Sequence, residues 1–128
     1  MGERKTAIVV VTHGSAGADM VDAAERMVGT LDVHTIAVPI GEAKTRTQER
    51  IEEAVRESDA EEVLFLVDLE GSTPYLCCRT CGGRSVVLTG MNMPMLFKLA
   101  TADRAQGAIP LAEELLATAV KSIHIRRS

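Results

Sequence analysis

Four short β-rich runs break up the chain, at residues 7–11, 33–38, 63–67 and 85–88. None alternates cleanly between apolar and polar side chains. Continuous apolar runs suit strands covered on both faces, and so a parallel sheet. The segments between them carry helical spacing. Met20, Ala23 or Ala24, Met27 and Val28 form one stripe, with Asp19, Asp22, Glu25 and Arg26 outside it and Gly29 as a stop. A second helix is predicted over residues 47–57, capped by Thr47, with Ile51, Ala54 and Val55 inward. Thr73 followed by Pro74 predicts a short third helix, with Thr73 as N-cap and Gly82-Gly83 as its end. Asn92-Met93-Pro94 opens a fourth helix, and residues 110–120 form a fifth with Leu111, Leu115, Leu116 and Ala119. Residues 122–127 alternate like a strand, Ile123 and Ile125 on one side and His124 and Arg126 on the other.

Strands that alternate with helices of this length predict an α/β fold, a three-layer sandwich. Right-handed crossovers keep the first four strands parallel, and the expected order is 2-1-3-4. The half-apolar last segment is expected as an antiparallel strand at an edge. At 128 residues the chain is read as one domain.

Composition removes several function classes. Fourteen basic residues against eighteen acidic ones leave a net charge of −4, which argues against a nucleic-acid binder. The run at residues 7–11 is far shorter than a membrane span, and the first residues lead into it with no export segment. Cys77, Cys78 and Cys81 are too close together to staple distant loops, so the reading is free thiols in a cytoplasmic protein. Dinucleotide and phosphate-loop glycine motifs are absent, as is the Gly-x-Ser-x-Gly elbow.

In open α/β sheets ligands bind beyond the carboxyl ends of the strands. Thr12-His13-Gly14-Ser15 follows the first strand, Asp68 to Pro74 the third, and Thr89 to Asn92 the fourth. His13 is the sharpest candidate, because imidazole serves as nucleophile and proton carrier near neutral pH. If the first and third strands are neighbours, Asp68 reaches one ring nitrogen and fixes the tautomer. Ser72 and Thr73, at a helix start, offer N–H groups to an anion. Each feature also has a plainer structural reading, as a satisfied loop histidine, a turn cap or an ordinary helix start. Cys78 and Cys81 have redox-like spacing but the wrong position for a redox site, so inert packing is the main reading. Metal binding lacks a fourth ligand.

The same residues carry a family resemblance along nearly the whole chain. Three blocks hold it: residues 8–15 with residues 24–29; residues 63–74, Val-Leu-Phe-Leu-Val-Asp-Leu-Glu-Gly-Ser-Thr-Pro; and residues 86–96. They resemble the enzyme IIA domain of the mannose family in the bacterial phosphoenolpyruvate-dependent sugar phosphotransferase system. The resemblance implies that His13 accepts a phosphoryl group from the carrier protein HPr and passes it to a separate enzyme IIB. It implies Asp68 as the orienting partner, with Ser15, Ser72 and Thr73 holding the phosphate. It further implies a homodimer exchanging its last strand, and no cofactor or metal. The sequence departs from the family at Glu70, Gly71 and Ser72, where a large apolar residue and two small ones are usual. Tyr75-Leu76 also stands where Phe-Asn is favoured. Alternatives are a regulatory module, a phosphoryl donor to dihydroxyacetone kinase, and a thiol sensor at Cys78 and Cys81.

Overall fold

A computed structural model describes residues 5–128. The reading of the first residues as carrying no export segment lies mostly outside that range. The elements run β1 (Thr6–His13), α1 (Ala16–Val28), β2 (His34–Val38), α2 (Lys44–Ser58), β3 (Glu62–Val67), α3 (Thr73–Arg79), β4 (Ser85–Thr89), α4 (Met93–Leu99) and α5 (Ala108–Lys121). The sheet has the order β2-β1-β3-β4, as the sequence predicts. All neighbours pair in parallel, with His13 opposite Val38 and Val11 opposite Val67.

Period-two alternation within β1 and β3 splits the core into two layers. Ile8, Val10, Leu64 and Leu66 face the layer built with α1, α4 and α5. Val9, Val11, Val63, Phe65 and Val67 face the layer built with α2 and α3. Both central strands are therefore covered on both sides, which is why their sequences do not alternate. Phe65 is the largest of the fully buried side chains. Phe65→Ala is expected to cost about 3–5 kcal/mol, read as a lower urea midpoint with an unchanged slope.

The helices correct several details of the sequence reading. In α1 the buried positions are Gly17, Val21 and Ala24, while Met27 and Val28 point outward. The contact is made by small residues, because α1 lies very close to the sheet. A Cβ on Gly17 would stand 2.7 Å from Val10 Cγ1 and 2.9 Å from Thr12 Oγ1. In α2 the helix starts one turn earlier than expected. Thr47 is buried inside it and donates to Glu42 Oε1 at 2.8 Å instead of capping. Ser72, not Thr73, caps α3, accepting from the Tyr75 N–H. The fifth helix begins at Ala108, and its Leu116 faces outward.

The expected fifth strand is absent from the sheet of the single chain. Residues 123–128 form no regular element, and Ile123 and Ile125 are 73% and 101% exposed. Alternation supplies a strand's pattern, but a strand forms only against a partner with free backbone groups. The free edge of β4 is the other half of that problem. Among the described residues no helix is long and apolar enough to cross a membrane.

Candidate active site

The carboxyl ends of β1 and β3 are adjacent, and they bring His13 and Asp68 together as expected. Asp68 Oδ2 accepts two hydrogen bonds from the same residue. One comes from the His13 backbone N–H at 3.0 Å, and the other joins Oδ2 to the ring Nδ1 at 2.9 Å. An ionised carboxylate is an acceptor only, so Nδ1 carries the ring proton. Nε2 is then left with its lone pair, on a side chain that is 41% exposed. The arrangement presents one defined nitrogen as nucleophile or proton acceptor. The second carboxylate oxygen, Asp68 Oδ1, is buried and has no hydrogen-bond partner among the described residues.

Backbone geometry sets the direction in which His13 leaves the strand. The Gly14 N–H still donates to Val38 O at 2.8 Å, so the sheet extends to the site itself. Gly14 then turns at φ +56°, a conformation that side-chain-bearing residues rarely adopt. The chain enters α1 immediately afterwards.

The three hydroxyl residues sit at the same edge, on the helix starts that follow β1 and β3. Ser15 is exposed, and its hydroxyl donates to Asp19 Oδ2 at 2.9 Å. The Ser72 hydroxyl donates to Leu69 O at 2.7 Å while serving as the α3 cap. Thr73 is the first residue of α3 and is exposed. The hydroxyls of Ser15 and Ser72 thus already have local partners, whereas the His13 side chain is partly exposed.

Glu70 is exposed. It borders a groove of about 390 Å³ between α3 and β4, together with Tyr75, Cys78, Arg79 and Thr89, and His13 is not part of that lining. Arg79 donates to the Tyr75 hydroxyl at 2.9 Å and stacks over the same ring.

The sequence reading named Thr12 only as part of the segment after the first strand and passed over Gly17. Thr12 is a fully buried hydroxyl directly before His13, and its Oγ1 accepts the Gly17 N–H at 2.7 Å. A threonine ending an apolar strand, with a glycine five residues on, is the signal that was available.

The cysteines lie away from His13, on α3 and the turn after it. Cys77 and Cys78 are buried and Cys81 partly so. Burial, reinforced by neighbouring thiols, holds the Cys78 thiol far above its usual range. Burial, Glu52 and Cys77 push Cys81 up to about 11. Only the thiolate is nucleophilic. Iodoacetamide labelling of the folded protein at neutral pH is therefore expected to be slower than that of a free cysteine. The rate at Cys81 should keep rising with pH and level off only above about 11. Rapid labelling at pH 7 would restore the thiol-sensor reading.

Comparison with known proteins places the chain in a family. The family model described as the phosphotransferase system fructose IIA component (EIIA-man) matches residues 7–122. The mannose/sorbose-specific IIA subunit of Enterococcus faecalis superposes with a TM-score of 0.88 at 20% identity, covering 97% of this chain and 96% of that one. The phosphotransferase component EIIA of Streptococcus agalactiae gives 0.84 at 21% identity, with 94% and 96% covered. A IIA protein associated with the fucose utilization operon of Streptococcus pneumoniae gives 0.81 at 25% identity, with 98% and 96% covered. No curated protein matches the chain. With nearly its whole length inside the family model, and with an imidazole nitrogen presented at the carboxyl edge of the sheet, the chain belongs to the mannose-type enzyme IIA family and is a phosphoryl-carrier domain of the phosphotransferase system.

Proposed function

We propose that His13 is the phosphoryl acceptor, that Asp68 orients it, and that the 128-residue chain works as one carrier domain. The observation that carries this reading is the double hydrogen bond of Asp68 Oδ2 to the backbone and ring of His13. The donor is phosphorylated HPr, and the recipient is an enzyme IIB, in the cytoplasm. In the first transfer the Nε2 lone pair attacks phosphorus in line, and the P–N bond of the donor phosphohistidine breaks. That electron pair returns to the donor imidazole. The His13 ring keeps its Nδ1 proton and becomes cationic, and the Asp68 carboxylate offsets that charge. Ser15, Ser72 and Thr73 hold the phosphoryl oxygens through their hydroxyls and the N–H groups of the helix starts.

The domain acts as a homodimer in which residues 123–128 of each copy pair with the open β4 edge of the other. Two features support this: the exposure of Ile123 and Ile125, and the position of β4 at the end of the sheet. Such pairing removes a free strand edge.

The test is phosphoryl loading from phosphoenolpyruvate through enzyme I and HPr, read by intact-mass spectrometry in non-acidic solvent. The reading requires one acid-labile phosphoryl group per chain. No mass increment alongside charged HPr overturns it.

A further inference from the structure

We propose that Thr12 is a positioning residue for the phosphoryl acceptor, an inference that rests on the reading of His13 given above. Ser15 occupies the N-cap position of α1, yet its side chain makes no capping bond. With φ −86° and ψ 7° it lacks the extended backbone of a capping residue, and its hydroxyl goes to Asp19 instead. The cap is supplied from the strand. Thr12 Oγ1 accepts the Gly17 N–H at 2.7 Å, and its own hydroxyl proton points to Gly14 O at 3.4 Å.

Thr12 therefore ties the last turn of β1 to the first turn of α1 across the loop that holds His13. Thr12 is 1% exposed and Gly17 is also buried, so the Gly17 N–H has no water to replace the hydroxyl. The close approach needs glycine at position 17, since any Cβ there would meet Thr12 itself at 2.8 Å. Thr12 and Gly17 work as a pair, which strands and helix clamp together. On the opposite side of the loop, Asp68 holds the His13 N–H and Nδ1. The turn is thus fixed from both sides: Asp68 sets the ring, and Thr12 sets the backbone from which the ring hangs. Released from Thr12, the turn is free to shift, and both bonds to Asp68 lengthen together.

The test compares Thr12→Val with Thr12→Ser in the full chain. Valine keeps the shape and removes the acceptor, whereas serine keeps the hydroxyl. Thr12→Val is expected to lower the maximal transfer rate from phosphorylated HPr by roughly 10- to 100-fold. The HPr concentration for half-maximal rate stays unchanged, because the docking surface is untouched. Thr12→Ser is expected within about threefold of wild type, which is the rescue a general packing role would not give. A second readout needs no phosphoryl donor. Nitrogen-15 NMR of the His13 ring in the uncharged protein reports its tautomer, and the Nε2–H form is expected to rise in Thr12→Val and not in Thr12→Ser. Where Thr12→Val does not fold, Thr12→Cys takes its place, matching the size with a weak acceptor. Loss of the fold in both marks Thr12 as a core residue only and overturns the assignment. So does a folded Thr12→Val with wild-type rate and tautomer, or a Thr12→Ser as impaired as the valine variant. Should wild type take up no phosphoryl group, the reading of His13 fails, while the tautomer comparison still decides the part played by Thr12.

Discussion

His13→Ala protein is expected to take up no phosphoryl group from charged HPr while remaining folded. The side chain is half-exposed and belongs to neither core layer. Its loss removes one hydrogen bond, a cost of about 1 kcal/mol, and the backbone N–H still satisfies Asp68 Oδ2. Stability and transfer are thereby separable at this position. The neighbouring nucleophiles do not substitute for it. Ser15 and Ser72 are alcohols whose hydroxyls donate to Asp19 Oδ2 and Leu69 O, and neither donates to an imidazole that could activate it as a nucleophile. Intact mass before and after charging, with a urea melt of the same sample, checks both halves. A phosphoryl increment on the alanine variant would move the acceptor elsewhere.

Substitutions of Asp68 are expected to slow transfer in graded steps. In Asp68→Asn the amide oxygen is held at the Oδ2 position, because the fixed backbone N–H of His13 needs an acceptor there. The same oxygen still accepts from Nδ1, so the tautomer survives and only the negative charge is lost. A hydrogen bond to a charged group is worth about 1.5–3 kcal/mol and one to a neutral group about 0.5–1.5 kcal/mol, so losing the charge alone costs about 1–1.5 kcal/mol. At 1.36 kcal/mol per tenfold in rate, that difference slows the transfer by roughly 5- to 15-fold. Asp68→Ala loses the charge and both acceptor bonds, frees the ring and strands the His13 N–H, so it is expected to be slower again. Rapid-quench measurement of a single transfer from phosphorylated HPr ranks wild type, asparagine and alanine in that order. An asparagine variant as fast as wild type would remove the carboxylate charge from the mechanism.

The sheet and the histidine–aspartate pair were legible in the sequence for one reason. Apolar runs mark strands buried on both faces, and a parallel sheet delivers everything that follows such strands to one edge. His13 and Asp68 both directly follow or close such a run, so topology alone brings them together. The phase of α1 was legible only in part. The expected stripe holds at Ala24, which is buried, and at Met20, which packs on the core, but Met27 and Val28 point outward, and the close approach at Gly17 brings that glycine and Val21 inward instead. The cap of α3 slipped by one residue because Ser72 and Thr73 are equally good cappers, and only Ser72 has extended backbone. The clamp from Thr12 to Gly17 left no periodic trace, since one buried hydroxyl and one glycine look like strand end and loop. The last segment reads as a strand but joins no sheet among the described residues. Glu70 lines the groove between α3 and β4.

The central claim is that Asp68 holds Nδ1, leaving Nε2 of His13 to take the phosphoryl group. Nitrogen-15-labelled histidine, incorporated into the protein and charged through HPr, tests it by phosphorus–nitrogen NMR. A single phosphorus signal coupled to the Nε2 of His13, with Nδ1 still protonated, is the result expected. A signal coupled to Nδ1, or to a histidine other than His13, would contradict the account.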